Sequence, residues 1–416
     1  MKSPRDYQIL KANEACDVLA EHGFVYIAAQ VRTGKTVMSM ECAKLFGAKR
    51  VLFLTKKKAM QSIIDDYNDF GYSEHFDIEV LNDESMHKSE MQDPDLVIHD
   101  EHHRFGALCK PGKATVMFKN SYSSKPQIWL SGTPTPENYS QVYHQFWVTD
   151  YSPFKNYRNF YAWAKDYIDV KQKKINSFLM NDYTHAREEE IMSVIKKYMI
   201  TFSQKEAGFT SEPTEEVLYV TMSDKTYSIA NKLMRDLVVE GNNDSIVADT
   251  AVKLRQKLHQ IYSGTIKLES GNAVTIDKTK AEFIKSRFAN RKIGIFYVFK
   301  QELSVLKEVF GDELTDNIDE FKSTDKSIAL QIVSGREGIS LKEADYLVMY
   351  NISDSATSYW QGRDRLSTMD REKNEVVWIF SKDGIEDKIF RSVKKKKSYT
   401  TSYFKRDYKQ LTIFNK

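Results

Sequence analysis

Along the first 150 residues, short apolar runs alternate with amphipathic stretches. The runs at 25–29, 51–54, 78–81, 96–99 and 128–130 are strand-sized, and the stretches 37–46 and 59–70 repeat apolar positions at helical spacing. Nearly continuous apolar strands separated by helices predict a parallel sheet covered on both faces. The same rhythm returns after Pro213, with strands expected at 217–222, 293–297, 328–333, 346–350 and 376–380. Helices are expected there at 226–240, 252–262 and 300–310. The segment between, 151–213, is rich in aromatics and Lys, has helical spacing and carries almost no β-branched run. It reads as a helical insertion. No repeat of 20–50 residues is evident. The expected architecture is α/β: lobe 1 over 1–150, a helical insertion or inter-lobe segment over 151–213, and lobe 2 over 214–416 with a basic tail.

Composition narrows the class. At ~150 residues per domain, 416 residues suggest two or three domains. A hydrophobic share of 41% with 23 Tyr and 23 Phe supplies a sizeable core and argues against wholesale disorder. No apolar run approaches the ~20 residues of a membrane helix. The opening MKSPRDYQIL has no apolar signal region, and Cys16, Cys42 and Cys109 are odd in number and widely spaced. These features lead us to expect a soluble cytoplasmic protein without a membrane partner. Net charge is only +3, yet residues 388–416 hold ten Lys/Arg and one acid, Asp407.

Two stretches carry recognisable chemistry. The strand at 25–29 runs into Ala29-Gln-Val-Arg32-Thr33-Gly34-Lys35-Thr36 and then a helical pattern, a phosphate-loop arrangement with Ala29 in place of its first Gly. In such a loop, successive N–H groups and the helix N-terminus cradle phosphate oxygens. Gly34 permits close approach, Lys35 neutralises the β and γ phosphates, and the Thr36 hydroxyl binds Mg²⁺. The bland reading is a Gly turn with an exposed Lys, so context decides. The strand at 96–99 ends in Asp100-Glu101-His102-His103. Adjacent carboxylates at a strand tip beside a phosphate loop can divide the work: Asp100 holds Mg²⁺ through water, and Glu101 orients and deprotonates the attacking water. His103 is placed to sense the γ-phosphate. A zinc site from His99, His102, His103 and Cys109 is the weaker reading, because the spacing is irregular and lacks a paired C-x-x-C. The strand at 128–130 then runs into Ser131-Gly132-Thr133-Pro134, a loop of small and hydroxyl residues suited to coupling hydrolysis to movement.

In this order the motifs resemble helicase superfamily two, within it the Swi/Snf-type translocases and a compact, phage-like member, over about residues 5–396. The resemblance implies two RecA-like lobes with ATP and Mg²⁺ bound between them. It makes Arg5, Tyr7 and Gln8 an adenine-recognition motif, in which the aromatic stacks on the base and the Gln hydrogen-bonds its edge. Ile293–Tyr297 resembles motif IV, Ser334–Leu341 motif V, and Gln361-Gly-Arg363-Asp-Arg365 motif VI. It assigns the arginine finger to Arg365, with Arg363 in reserve. Two departures stand out: Thr368 occupies a position that usually carries Arg, and Thr201-Phe-Ser-Gln-Lys205 replaces an Arg-rich stretch.

The resemblance also implies a nucleic-acid track through Thr55, Lys56, Ser334, Gly335, Arg336 and Ser340, which would grip phosphates without reading sequence. Lys394, Lys395, Lys396 and Lys397, followed by Tyr399, Tyr403 and Phe404, mix charge with stacking surface and extend it. Lys171, Lys173 and Lys174 with the aromatics of 157–163 suit either a duplex clamp or a packed helix with a solvated face. The expected function is an ATP-dependent DNA translocase or helicase, a monomer acting on forked, branched or duplex DNA, with branch migration and replication or recombination proteins in view. An RNA-dependent ATPase is the alternative. A non-catalytic nucleic-acid binding module is a third, disfavoured because Lys35, Thr36, Asp100, Glu101 and Arg365 are all present.

Overall fold

The central apolar runs form strands buried on both faces, as at Phe24–Ala29, Arg50–Thr55, Leu96–His99, Gln127–Ser131 and Ile293–Tyr297. In the computed structural model, described for residues 2–91, 93–132, 134–135, 138–175, 178–209, 213–241, 244–332, 341–355, 358–359, 362 and 374–395 (backbone alone at 173–175 and 178), the chain divides into two compact units, Met1–Phe209 and Thr210–Lys416. Among these residues no helix is long and apolar enough to cross a membrane.

The first unit is built on β1 (Phe24–Ala29), β2 (Arg50–Thr55), β3 (Asp77–Asn82), β4 (Leu96–His99) and β5 (Gln127–Ser131). It also contains a hairpin, β6 (Lys171–Ile175) with β7 (Phe178–Asp182), and the strand β8 (Met199–Phe202). Six strands pair in the order β3-β2-β4-β5-β1-β8, all parallel. Alternate side chains serve opposite faces. Val25, Ile27, Phe53, Ile98 and Leu130 pack with helices α1 (Asp6–His22), α2 (Lys35–Phe46) and α3 (Met60–Asp69). On the other face Phe24, Tyr26, Leu54, Val97 and Trp129 meet α4 (Lys113–Tyr122), α5 (Val142–Trp147), α6 (Phe160–Tyr167) and α7 (Glu188–Ile195).

This corrects the reading of 151–213 as a separate helical insertion. The segment contains α6 and α7, but also the hairpin and β8, and β8 completes the sheet beside β1. Its aromatics are core: Phe160 and Trp163 are buried against Tyr143 and Phe154. Burial of such rings is what their packing contributes; of the expected clamp, Lys171 and the half-exposed Tyr161 face outward, and the side chains of Lys173 and Lys174 lie outside the described residues.

The second unit repeats the plan. Its strands are β9 (Pro213–Val220), β10 (Val238–Glu240), β11 (Ser245–Val247), β12 (Thr265–Lys267), β13 (Ala273–Thr275), β14 (Ile293–Tyr297), β15 (Leu314–Thr315), β16 (Ser327–Gln331), β17 (Tyr346–Met349) and β18 (Asn374–Ser381). The parallel sheet runs β15-β16-β14-β17-β18-β9, and β10-β11 and β12-β13 are separate antiparallel pairs. Helices α8 (Asp224–Asp236) and α9 (Ala251–Tyr262) cover one face with the last helix described, Glu386–Val393; α10 (Thr279–Arg287) and α11 (Lys300–Phe310) cover the other. Two parallel six-stranded sheets flanked by helices are the two RecA-like lobes expected.

Candidate functional site

The strand order places the chemistry. β4, β5 and β1 are adjacent and parallel, so the loops leaving their carboxyl ends open on one edge of the first sheet. Those loops carry Asp100-Glu101, Ser131-Gly132 and the phosphate loop. Parallel α/β sheets bind ligands at this edge.

In the phosphate loop, Gly34 adopts φ 81° and ψ 38° and caps α2, whose first N–H groups lie at its N-terminus. A Cβ at Gly34 would stand 2.0 Å from Gln8 Nε2, so a side chain there would have to displace the Gln8 amide, and the left-handed backbone disfavours one in any case. Gln8 is thereby brought to the loop. It is buried, and its Oε1 accepts from the Arg5 N–H at 2.9 Å, while Tyr7 stacks on Phe202 with centroids 5.2 Å apart. Lys35 Nζ donates to the Ala29 and Gln30 carbonyls at 3.0 and 3.2 Å, and the Thr33 hydroxyl donates to the Gln30 carbonyl at 2.8 Å. The segment after β8 braces the loop. Gln204 N donates to Gln30 Oε1 at 2.6 Å and Gln204 Nε2 to the Val31 carbonyl at 2.9 Å. Part of the stretch that departs from the family pattern thus supports a loop that lacks its first Gly. Arg32 (φ 64°) and Thr36 sit on either side of Thr33 and Gly34, at the mouth of the loop.

Asp100 accepts from the Thr55 hydroxyl and from the Glu101 N–H, both at 2.9 Å. Thr55 is 1% exposed, so its hydroxyl is committed to Asp100, and it cannot line a surface track as expected. Lys56 beside it is half-buried and near enough to Asp83 to act on its charge. Burial, then the charge of Glu101, pushes the Asp100 carboxyl up to about 6, against the opposing pull of Lys35 and Thr55. Glu101 holds a left-handed backbone, φ 52° and ψ 42°, unusual for a residue with a side chain. His103 Nδ1 lies 3.2 Å from Glu101 Oε2 and 2.9 Å from Ser131 Oγ. That nitrogen carries at most one hydrogen, so it can donate to Glu101 or accept from Ser131, but not both at once. Gly132 is tight as well: a Cβ there would meet Val31 Cγ1 at 3.3 Å and Lys35 Nζ at 3.7 Å.

Behind the acid pair lies a buried chain that spacing alone did not reveal. His99 and His102 join Nδ1 to Nδ1 at 2.7 Å, His99 Nε2 faces Asp83 Oδ1 at 3.3 Å, and His102 Nε2 faces the Gln145 carbonyl at 2.9 Å. Acceptors close both ends, so both Nε2 atoms donate and the contact between the rings needs a third proton. Full bonding leaves His102 neutral, its Nδ1 accepting the proton shared with His99. Burial and the neighbouring His99 hold His102 well below the ordinary histidine range. Burial opposes ionisation of Asp83, yet His99, Arg104 and Lys56 keep it below the usual carboxylate range. No zinc-type cluster occurs among the described residues. His99 and His102 are structural, as their full burial already suggests.

Lys394 pairs with Glu215 at 3.6 Å and lies 5.2 Å from the Phe390 ring centroid, so its charge is partly engaged within its own unit, while Lys395 is exposed. Thr133, Ser334, Gly335, Arg336, Ser340, Arg363, Arg365, Lys396 and Lys397 lie outside the described residues.

The donor set fits a nucleoside triphosphate with a divalent cation: a left-handed Gly before a helix N-terminus, a lysine resting on the loop, and a carboxyl that burial keeps hard to ionise until a cation arrives. Thr36 and Asp100 would hold the cation. One consequence is testable without ligand. A raised Asp100 means that the folded chain binds more protons than the unfolded chain from about pH 4, the free carboxyl value, to about 6. Its contribution to stability is therefore present below pH 4 and lost as pH rises through 6. In Asp100→Asn the β4 amides should exchange hydrogen more slowly than in the parent at pH 7.5 in chelator, with the gap shrinking at pH 4; equal gaps at the two pH values would refute it.

The profile of the SNF2-related domain family matches residues 47–274, more than half of the chain, beginning after the phosphate loop and ending before 293–297. The chain is similar to the Hef helicase domain of Pyrococcus furiosus, at 14% identity over 94% of this chain and 98% of that one, with a TM-score of 0.50. It also matches the Sulfolobus solfataricus SWI2/SNF2 ATPase core domain, at 15% identity over 97% and 90% of the respective chains, TM-score 0.42. No curated protein matches it. The Hef likeness bears on the fold alone, and the family match carries the identity: the chain belongs to the SNF2-related domain family and is an ATP-hydrolysing, nucleic-acid-dependent enzyme.

Proposed function

We propose that this chain is an ATP-driven DNA translocase that remodels forked or branched DNA. One observation supports the chemical half of this reading most directly. Lys35, Asp100, Glu101, His103 and Ser131 converge on one sheet edge, with His103 within hydrogen-bonding reach of both the candidate base and the coupling loop. Thr36 and Asp100 would hold Mg²⁺, which would supply neutralising charge to the phosphates. The loop amides and Lys35 orient the triphosphate. Glu101 Oε accepts the proton of the attacking water. His103, released from Glu101, is free to take the Ser131 hydroxyl, which gives the coupling loop a signal that depends on the γ-phosphate. Tyr7 and Gln8 are proposed for the base, and Arg365, with Arg363 in reserve, for the finger. Lys56, Ser334, Gly335, Arg336, Ser340 and Lys395–Lys397 are proposed for the DNA backbone. DNA rather than RNA, and branched DNA in particular, rest on analogy with Swi/Snf-type motors.

The test is steady-state ATPase of the whole chain, alone and with single-stranded, duplex, forked and four-way DNA and with RNA. Forks or junctions should stimulate most. Preferential stimulation by RNA would overturn the DNA assignment, and no turnover with any ligand would overturn the mechanism.

A further inference from the structure

Gln145 belongs to no motif, yet it touches three elements of the site. It lies on α5 and is 1% exposed. Its Oε1 accepts from the Tyr26 hydroxyl of β1 at 2.7 Å. Its Nε2 donates to the Pro134 carbonyl, just past Ser131 and Gly132, at 2.8 Å, and to the Gln141 carbonyl at 3.2 Å. Its own carbonyl receives His102, the residue after the acid pair, at 2.9 Å. The amide has one workable orientation. Two carbonyls face one side, so that side must be the NH₂ group, and the oxygen must meet the phenol. Tyr26 in turn lies near the Ser131 hydroxyl and the Glu101 charge; burial first, then that charge, pushes its phenol up well beyond the usual range.

We propose that Gln145 is a positioning residue that ties the Ser131–Gly132 loop, through Pro134, to the strand of the phosphate loop and to the turn behind Glu101, and so transmits nucleic-acid engagement to hydrolysis. The inference rests on the reading above that nucleic acid stimulates ATP turnover. The side-chain bonds of Gln145 go to Tyr26, Pro134 and Gln141 rather than to the phosphate loop or the carboxylates of Asp100 and Glu101, so the resting catalytic geometry does not need its amide. What does need it is the loop beyond β5: Ser131 itself is paired with Ala28 of β1, but without the Nε2 donor the Pro134 carbonyl loses its anchor and the loop leaving Ser131 loses its registration. A buried amide that meets both its donor and acceptor demands favours one loop arrangement over its competitors.

The experiment compares Gln145→Glu, Gln145→Met and Tyr26→Phe with the parent for basal and DNA-saturated ATPase, with folding followed by circular dichroism. Gln145→Glu turns an oxygen toward two carbonyls; Gln145→Met removes all three side-chain bonds at similar volume; Tyr26→Phe leaves the Nε2 donor in place. Basal kcat and the KM for ATP should stay within about twofold in both Gln145 variants, while the stimulation factor falls by about tenfold, within the 5–150-fold range usual for coupling between sites. Tyr26→Phe should keep more stimulation than either. Parent-like stimulation in both Gln145 variants would overturn the proposal. So would a parallel fall of basal and stimulated kcat, or unfolding of both, since the role would then be structural. A parent that no nucleic acid stimulates would instead sink the functional reading, and this inference with it.

Discussion

Glu101→Gln is expected to lower stimulated ATP turnover by about 10²–10⁴-fold, the usual contribution of a positioned general base, while nucleotide binding survives. The substitution is nearly isosteric, so the unusual backbone at φ 52° and the approach to His103 at 3.2 Å can both persist. What disappears is the basicity of Oε and one negative charge. Because that charge helps to raise Asp100, second only to burial, the Asp100 carboxyl of the variant should ionise more readily. Cation-dependent nucleotide binding near pH 6 should therefore be at least as tight as in the parent, which separates lost chemistry from a damaged site. Phosphate release and titration with a fluorescent nucleotide measure the two quantities. Turnover within tenfold of the parent would remove Glu101 from the role of base.

The expected and observed elements agree best where strands are buried on both faces. The run at 293–297 and the strand Leu96–His99 were legible because a continuous apolar stretch bounded by polar residues has little else to become. β8 was not, since its burial alternates along Met199–Phe202 and Lys196 and Lys197 precede it; an edge strand with one wet face leaves only a faint pattern. The hairpin β6–β7 was hidden for a related reason, as its Lys-Gln-Lys-Lys run satisfies a solvated helix face equally well. In the site, Lys35 and the pair Asp100-Glu101 were readable because spacing encodes them. Thr55, Asp83, Tyr26 and Gln145 were not, because they reach the site from other strands and helices through buried hydrogen bonds with no fixed sequence offset. Thr55 shows the cost of carrying over a role by position alone: the strand end was right, but the hydroxyl turns inward to Asp100.

The second unit offers the largest expected effect on stability. Lys280, in α10, and Glu386, at the start of the helix Glu386–Val393, are both fully buried and meet at 2.9 Å. Glu386 Oε1 also receives the Ser381 N–H at 3.3 Å, and a Cβ at Gly384 would stand 2.1 Å from Oε2, so the turn after β18 is shaped around this carboxylate. Lys280 Nζ lies 5.4 Å from the centroid of the Tyr350 ring, an aromatic contact too weak to replace a carboxylate. Glu386→Ala leaves an ammonium buried without its partner and should destabilise the unit by about 3–5 kcal/mol. Removing both charges, as Lys280→Met with Glu386→Leu, should recover most of that loss, because the attraction within a buried pair does little more than offset the desolvation of its members. With two units in the chain, a single melting temperature is a poor readout. Hydrogen exchange of the β18 and α10 amides reports on this unit directly. Exchange in the single variant should speed up by two to three orders of magnitude, about 1.4 kcal/mol per factor of ten, and slow again in the double variant. Parent-like protection in Glu386→Ala would mean that water or a local shift already satisfies Lys280, and the pair would not be what holds α10 to the last helix.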